Sequence, residues 1–300
     1  MKYSNGKVPL ICMMTQSTCY RNTRNMAIKG ILWHSTGANN PNVKRYVQPD
    51  DNAKDKAELL KLIGKNIYHN DWNHTSRQAG VNAFIGKLAD GTVETVQVMP
   101  WVYRPWGCGS GKNGSCNNGW IQFEIAEDSL KDRTYFDKIY KEACELTAYL
   151  CKTYNIDPKG TVKYGRLNVP TILCHKDSAN LGLGCDHVDI YHWFLKYGKT
   201  MEDVRNDVAK LLNERPGEYY DGPYPTLPKR GYFKQGDKGV EVGKLQKYLN
   251  WFGNYGLAVD GDLGPRSVAA VKAFQKAVGI TADGLFGGVS LAAAKNYCKY

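Results

Sequence analysis

Cys174-His175-Lys176-Asp177 and, after a short gap, Gly184-Cys185-Asp186-His187-Val188-Asp189-Ile190-Tyr191-His192-Trp193-Phe194 form the stretch around which the chain is organised. Three of the six histidines lie here, with two cysteines and three aspartates. Gly182 and Gly184 interrupt the run, so it reads as a loop rather than a helix or strand. A loop can fold back and bring ligands distant in sequence to one point. Two imidazoles with a thiolate or carboxylate, and an open fourth position, are what a catalytic zinc requires. The remaining ligand must come from elsewhere. Ile31-Leu32-Trp33-His34-Ser35-Thr36, an apolar strand-like run ending on a histidine, offers it. Histidines beside aromatics are more often ordinary, partly buried residues. The distant His34 and a glutamate on a strand raise the metal reading above that one.

That strand is Trp120-Ile121-Gln122-Phe123-Glu124-Ile125-Ala126, which alternates as a half-buried strand should. Ile121, Phe123 and Ile125 take one face, while Gln122 and Glu124 share the other. A lone strand glutamate is usually solvated, but one flanked by aromatics is placed to line a cleft. A long loop rich in Gly, Asn and Trp precedes it, from Pro100 to Gly119, and such loops inside compact domains are usually functional.

Further out, residues 27–33 are the first credible strand, and a polar helix is expected near 52–65. Asn82–Gly86 and Val93–Val98 should pair as a hairpin around Asp90-Gly91. Phe136, Ile139, Tyr140, Ala143, Cys144, Thr147, Leu150 and Cys151 recur at helical spacing over 135–153. Thr200-Met201-Glu202-Asp203 resembles a capping box ahead of a helix with Val204, Val208, Leu211 and Leu212 as its buried stripe. Residues 1–26 read as an extended arm. The order of elements implies an α/β domain, a mixed central sheet with flanking helices.

From Glu214 to Arg230 four prolines and no periodicity mark a semi-rigid linker. Beyond it Leu245-Gln246 precedes Val259-Asp260-Gly261-Asp262-Leu263-Gly264-Pro265, and Phe274-Gln275 precedes Ala282-Asp283-Gly284-Leu285-Phe286-Gly287-Gly288. Each half couples an amphipathic helix to an Asp-Gly turn, which predicts a small all-α three-helix domain built by duplication. It holds no cluster of acids, bases or metal ligands, so binding is its expected role. The boundaries are 1–215, a linker at 216–230, and 231–300.

The totals agree with two domains: 300 residues exceed one typical domain. No apolar run approaches the ~18 residues of a membrane span. The N-terminal segment has too short an apolar core for a signal peptide, which places the protein in the cytoplasm until it is released. Nine cysteines without a Cys-x-x-Cys pair indicate reduced thiols. A net charge of +11 favours an anionic partner, nucleic acid or a polyanionic cell wall, but the basic residues are scattered and choose neither.

The C-terminal repeat, over residues ~231–297, closely resembles the helical peptidoglycan-binding domain of wall hydrolases. Beside it the N-terminal domain resembles the zinc N-acetylmuramoyl-L-alanine amidases of the peptidoglycan-recognition-protein fold. The resemblance implies His34 and His175 as zinc ligands and Glu124 as the residue that assists the attacking water. The family's third ligand is a Cys or Asp, commonly five residues before a Phe. Asp189 with Phe194 fits, and Cys185 and His187 remain rivals because the gap from His175 is long. His187 occupies the place where the family often has a transition-state lysine. Where many members have a loop histidine, this chain reads Trp106-Gly107-Cys108-Gly109.

What this implies is zinc-assisted hydrolysis of the amide between N-acetylmuramic acid and L-alanine of peptidoglycan, by a phage endolysin or a bacterial autolysin. Alternatives are a non-catalytic recognition protein of the same fold and a zinc endopeptidase of the stem peptide. The latter lacks His-Glu-x-x-His. Nucleic-acid binding has only net charge in its favour, and the sequence does not specify an oligomeric state.

Overall fold

The computed structural model describes residue 3, residues 5–213 and residues 218–299. The chain divides into two compact units, Met1–Asn213 and Glu214–Tyr300.

The larger unit begins with β1 (Leu10–Ile11) and α1 (Thr18–Asn22), so the expected extended arm is partly structured. There follow β2 (Gly30–Ser35), α2 (Lys56–Ile63), β3 (Ala83–Lys87), β4 (Val93–Gln97), β5 (Trp120–Ile125) and α3 (Arg133–Tyr154). Then come β6 (Thr161–Tyr164), β7 (Leu167–Pro170), β8 (Ile172–Cys174), α4 (His175–Asn180), α5 (Tyr191–Phe194) and α6 (Met201–Asn213). Six strands form one sheet in the order β1-β4-β3-β5-β2-β8, in which only β3 and β4 run antiparallel. This is the mixed sheet expected. The β3–β4 hairpin turns at Asp90-Gly91, where Gly91 takes a φ of 84° and Asp90 accepts the Thr92 N–H.

Both faces of the sheet are covered, which is why β2 and β5 are buried along their whole length. On one face Trp33, Phe123 and Ile125 meet α3. Asp132 caps α3 by accepting the Tyr135 N–H, and Asn155 ends it in the left-handed region at φ 52°. Phe136, Ile139, Ala143 and Leu150 supply its buried stripe, as the 3.6-residue spacing requires. The α6 cap is the reciprocal pair expected: Thr200 Oγ accepts the Asp203 N–H, and Asp203 accepts the Thr200 N–H.

The local structure also differs from expectation at the organising stretch. The His/Asp stretch is not all loop, because α4 starts directly at His175. Asp177 accepts the Cys174 N–H in a capping box whose other partner is a cysteine, an N-cap that residue preference does not flag.

The smaller unit contains β9 (Glu218–Tyr219), β10 (Tyr232–Phe233), α7 (Val240–Gly253), α8 (Pro265–Ala277), β11 (Phe286–Gly287), α9 (Gly288–Asn296) and β12 (Cys298–Lys299). Its three helices enclose Leu245, Leu249, Val271, Phe274, Phe286 and Ala294. Two short strand pairs, β10–β11 and β9–β12, supplement them. Much of the stretch expected to be a linker is fixed to this unit: β9 pairs with β12, and Tyr220, Tyr224 and Leu227 pack on its core. Residues 214–217 of that stretch lie outside the described residues.

Candidate functional site

β2 and β5 are parallel and in register, with His34 opposite Glu124 and Leu32 opposite Gln122. Alternation therefore puts His34, Gln122 and Glu124 on one face of the sheet, the face away from α3. Apolar cover on that face is divided. One cluster, with Tyr46, Phe84 and Val96, lies on the β3–β4 side. The other, with Cys108, Cys116, Leu173 and Leu183, lies toward β8. His34 and Glu124 occupy the strands between them.

A chain of hydrogen bonds sets the state of His34. The Cys108 backbone N–H donates to Asn117 Oδ1 (3.1 Å), which makes that oxygen an acceptor. Gln122 Nε2 donates to the same oxygen (2.9 Å), so Gln122 Oε1 faces His34 Nε2 at 2.9 Å. An amide oxygen only accepts, so Nε2 carries the proton and Nδ1 presents a lone pair. Gly107 closes over this bond. A Cβ there would stand 2.2 Å from Gln122 Oε1 and 3.1 Å from His34 Nε2, so the loop can pass only as glycine.

Three donors converge where Nδ1 points. His34 Nδ1 lies 3.1 Å from His175 Nδ1 and 3.2 Å from Asp189 Oδ2, and His175 Nδ1 lies 3.4 Å from Asp189 Oδ1. All three residues are buried. α4 places His175 at its first residue, and the following loop returns so that Lys176 N–H donates to the Asp189 carbonyl. Burial by itself would raise the Asp189 carboxyl, but foremost the bond from His175 holds it well below the usual range. A carboxylate and a lone-pair nitrogen thus face each other at 3.2 Å, an arrangement that a cation at their meeting point relieves. An imidazole–imidazole–carboxylate set suits zinc.

A second group shares His175. Cys185 Sγ lies 3.4 Å from His175 Nε2 and 3.3 Å from His187 Nδ1, and the His187 ring stacks on His175 with centroids 4.5 Å apart. His175, Cys185 and His187 are themselves close enough to hold a metal ion. Cys185 and His187 thus flank the outer nitrogen of His175, whereas Asp189 meets both inner nitrogens. His187 is exposed.

Glu124 is an under-paired polar group of the site. It is buried, and its Oε2 has no hydrogen-bond partner. Burial first, then the charges of Asp189 and Glu127, push its carboxyl well above the ordinary range, with Arg77 opposing. A carboxyl held above its ordinary range is suited to taking up a proton and handing it on.

Residues 24–189 match the N-acetylmuramoyl-L-alanine amidase family. The chain belongs to that family. Residues 238–293 match the peptidoglycan binding domain family. A Bacillus licheniformis protein named "Probable N-acetylmuramoyl-L-alanine amidase" is 31% identical over 163 residues, 52% of this chain and 40% of that protein. The chain thus spans about two fifths of that relative's length. Among solved structures, the Staphylococcus aureus hydrolase AmiA in complex with its ligand overlaps 69% of this chain and 84% of its own, with TM-score 0.43 and 19% identity. A mutant endolysin from Bacillus subtilis overlaps 67% and 99%, with TM-score 0.41 and 17% identity.

This amidase-family chain therefore brings His34, His175, Asp189 and Glu124 together on one sheet face and sets His187 and Cys185 beside His175. The residues that sequence reasoning missed are Gln122 and Asn117. Alternation already put Gln122 beside Glu124, but nothing in the sequence marks Asn117, seventeen loop residues after Pro100, as its anchor. Cys108 and Asn117 of the 100–119 loop hold Gln122, and through it His34.

Proposed function

We propose that the chain is a zinc-dependent hydrolase of peptidoglycan that cleaves the amide between N-acetylmuramic acid and L-alanine. Residues 1–215 are the catalytic domain and 231–300 the wall-binding domain. The observation that carries this is the convergence of His34, His175 and Asp189 beside a buried glutamate with a free oxygen. A pure recognition protein needs neither.

His34, His175 and Asp189 would hold the zinc, which supplies an acidified water and a polarised scissile carbonyl. Glu124, beside Asp189, takes the proton of the attacking water and returns it to the nitrogen of the leaving L-alanine. The amide C–N bond breaks as that nitrogen becomes a neutral amine. Gln122 keeps His34 in the one tautomer able to bind metal. His187, stacked on His175, donates to the oxygen of the tetrahedral intermediate. Asp189 is the third ligand in this reading and Cys185 supports the two imidazoles. The smaller unit raises the local concentration of the hydrolase on an insoluble wall.

The test is digestion of purified walls with metal analysis and mass spectrometry of the fragments. Wild type should release stem peptides with a new L-alanine N-terminus. His34→Ala and His175→Ala should lose zinc and fall to background while remaining folded. Fragments cut within the stem would make the protein an endopeptidase, and full activity in either variant would remove the site.

A further inference from the structure

Seven of the eight cysteines in the larger unit are buried, and Cys185 alone is half-buried. Its position is fixed by the loop beneath it. The Cys185 N–H donates to the Cys108 carbonyl at 2.8 Å, and a Cβ on Gly109 would stand 2.9 Å from Cys185 Sγ. That sulfur lies 3.4 Å from His175 Nε2 and 3.3 Å from His187 Nδ1. His187, exposed and stacked on His175 at an interplanar angle of 22°, turns its nitrogen to the same sulfur.

Bonds of about 2.0 Å to nitrogen and about 2.3 Å to sulfur set neighbouring ligands of a three-coordinate ion about 3.7 Å apart. The three outer atoms all lie within 4.8 Å of one another. The inner and outer sets differ in kind. His34, His175 and Asp189 offer two nitrogens and an oxygen, whereas His175, Cys185 and His187 offer two nitrogens and a sulfur. Exchanging a carboxylate oxygen for a thiolate turns preference from zinc toward a thiophilic ion such as copper(I).

The two sets share His175 through opposite nitrogens, Nδ1 inward and Nε2 outward. A neutral imidazole has one lone pair and one N–H. Zinc on Nδ1 therefore leaves Nε2 protonated, with its N–H directed at Cys185. An ion on Nε2 leaves Nδ1 protonated, and two acceptors face that proton: His34 Nδ1 at 3.1 Å and Asp189 Oδ1 at 3.4 Å. Each state is hydrogen-bonded, and each excludes the other.

We infer that His175, Cys185 and His187 form a second metal site, selective for a thiophilic monovalent ion, that shuts the hydrolase by drawing His175 away from zinc. This regulation rests on the amidase reading above. Cys185 loses its thiol proton to solvent as the ion binds, and nothing is oxidised or reduced.

The experiment titrates the zinc-loaded full chain with copper(I), supplied anaerobically in a chelating buffer. Both metals are counted after dialysis, and X-ray absorption at the copper edge reads the ligands. One copper per chain should bind, with a sulfur in its ligand shell, and zinc should leave in step with it. Activity, scaled to each protein's own copper-free rate, should fall in parallel. Cys185→Ser and His187→Ala, both changes outside the buried core, should melt as wild type does. Each should weaken copper binding at least ~100-fold and keep its zinc throughout the titration. Asp189→Ala, which lacks the inner carboxylate, should still bind copper through sulfur. Copper binding as tight in Cys185→Ser as in wild type would overturn the inference, as would copper bound with all zinc retained. Zinc–copper exchange in a wild type that releases no stem peptides from walls would sink the amidase reading and leave the second site standing.

Discussion

Two buried glutamines of the smaller unit and the reactive face of the larger one treat their polar groups in opposite ways. In the smaller one, Gln246 and Gln275 are buried but fully engaged. Gln246 Nε2 donates to Asp260, to the Asp262 carbonyl and to Ser267, and its Oε1 accepts the Gly261 N–H. Gln275 repeats the pattern with Asp283, the Leu285 carbonyl, Ser290 and the Gly284 N–H. Each pins an Asp-Gly turn to its helix and leaves nothing over for a ligand. In the larger unit Glu124 keeps an unpartnered oxygen, and His34 and Asp189 face each other as acceptors. A satisfied polar group stabilises a fold, whereas an unsatisfied one costs stability and is retained where it does chemistry.

Substitution in each region should separate these two uses. Glu124→Gln should keep zinc and lose about 10²–10⁴ in kcat, with no loss of stability, since an amide is less costly to bury than a carboxylate. Titration of activity against metal content checks this. A large fall in melting temperature would make Glu124 structural. Gln246→Ala and Gln275→Ala should do the reverse. Each leaves buried partners unpaired and should destabilise the smaller unit by about 3 kcal/mol, while cleavage of soluble muropeptides continues. Calorimetric melting reads the first effect and a muropeptide assay the second.

A subtler case lies between these extremes. Glu142 on α3 accepts from the Thr95 N–H and hydroxyl, yet burial raises its carboxyl from 4.5 to about 7. Its contribution to stability is fully present below pH ~4.5 and is lost as pH rises through about 7. Glu142→Gln keeps the acceptor oxygen and should stabilise the protein at pH 8 by up to ~3 kcal/mol, with the gain vanishing near pH 4.5. Melting temperatures of both proteins across that range decide it. The smallest effect is expected at Cys185. Cys185→Ser should keep full zinc and lose less than ~10-fold in rate, because Cys185 supports the imidazoles from outside the inner set. Loss of metal there would move the centre to Cys185 and His187.

Much of this was legible in the sequence because period and turn chemistry are local. The alternation at 120–126 correctly separated Glu124 and Gln122 from the core face, and the spacing over 135–153 located α3. The duplicated Asp-Gly pattern located the smaller unit's turns. What escaped the sequence depends on long-range pairing. The helix at His175 is capped by Cys174 and Asp177, and Tyr220 and Tyr224 are held by a core that forms only once the chain has folded. The tautomer of His34 depends on a loop asparagine that only the fold brings near.

The most direct measurement of the central claim is anomalous scattering at the zinc edge on crystals grown with the metal. The account predicts one peak between His34 Nδ1, His175 Nδ1 and Asp189, within reach of Glu124. A peak centred on Cys185 and His187 with Asp189 uninvolved, or none on this sheet face, would contradict it.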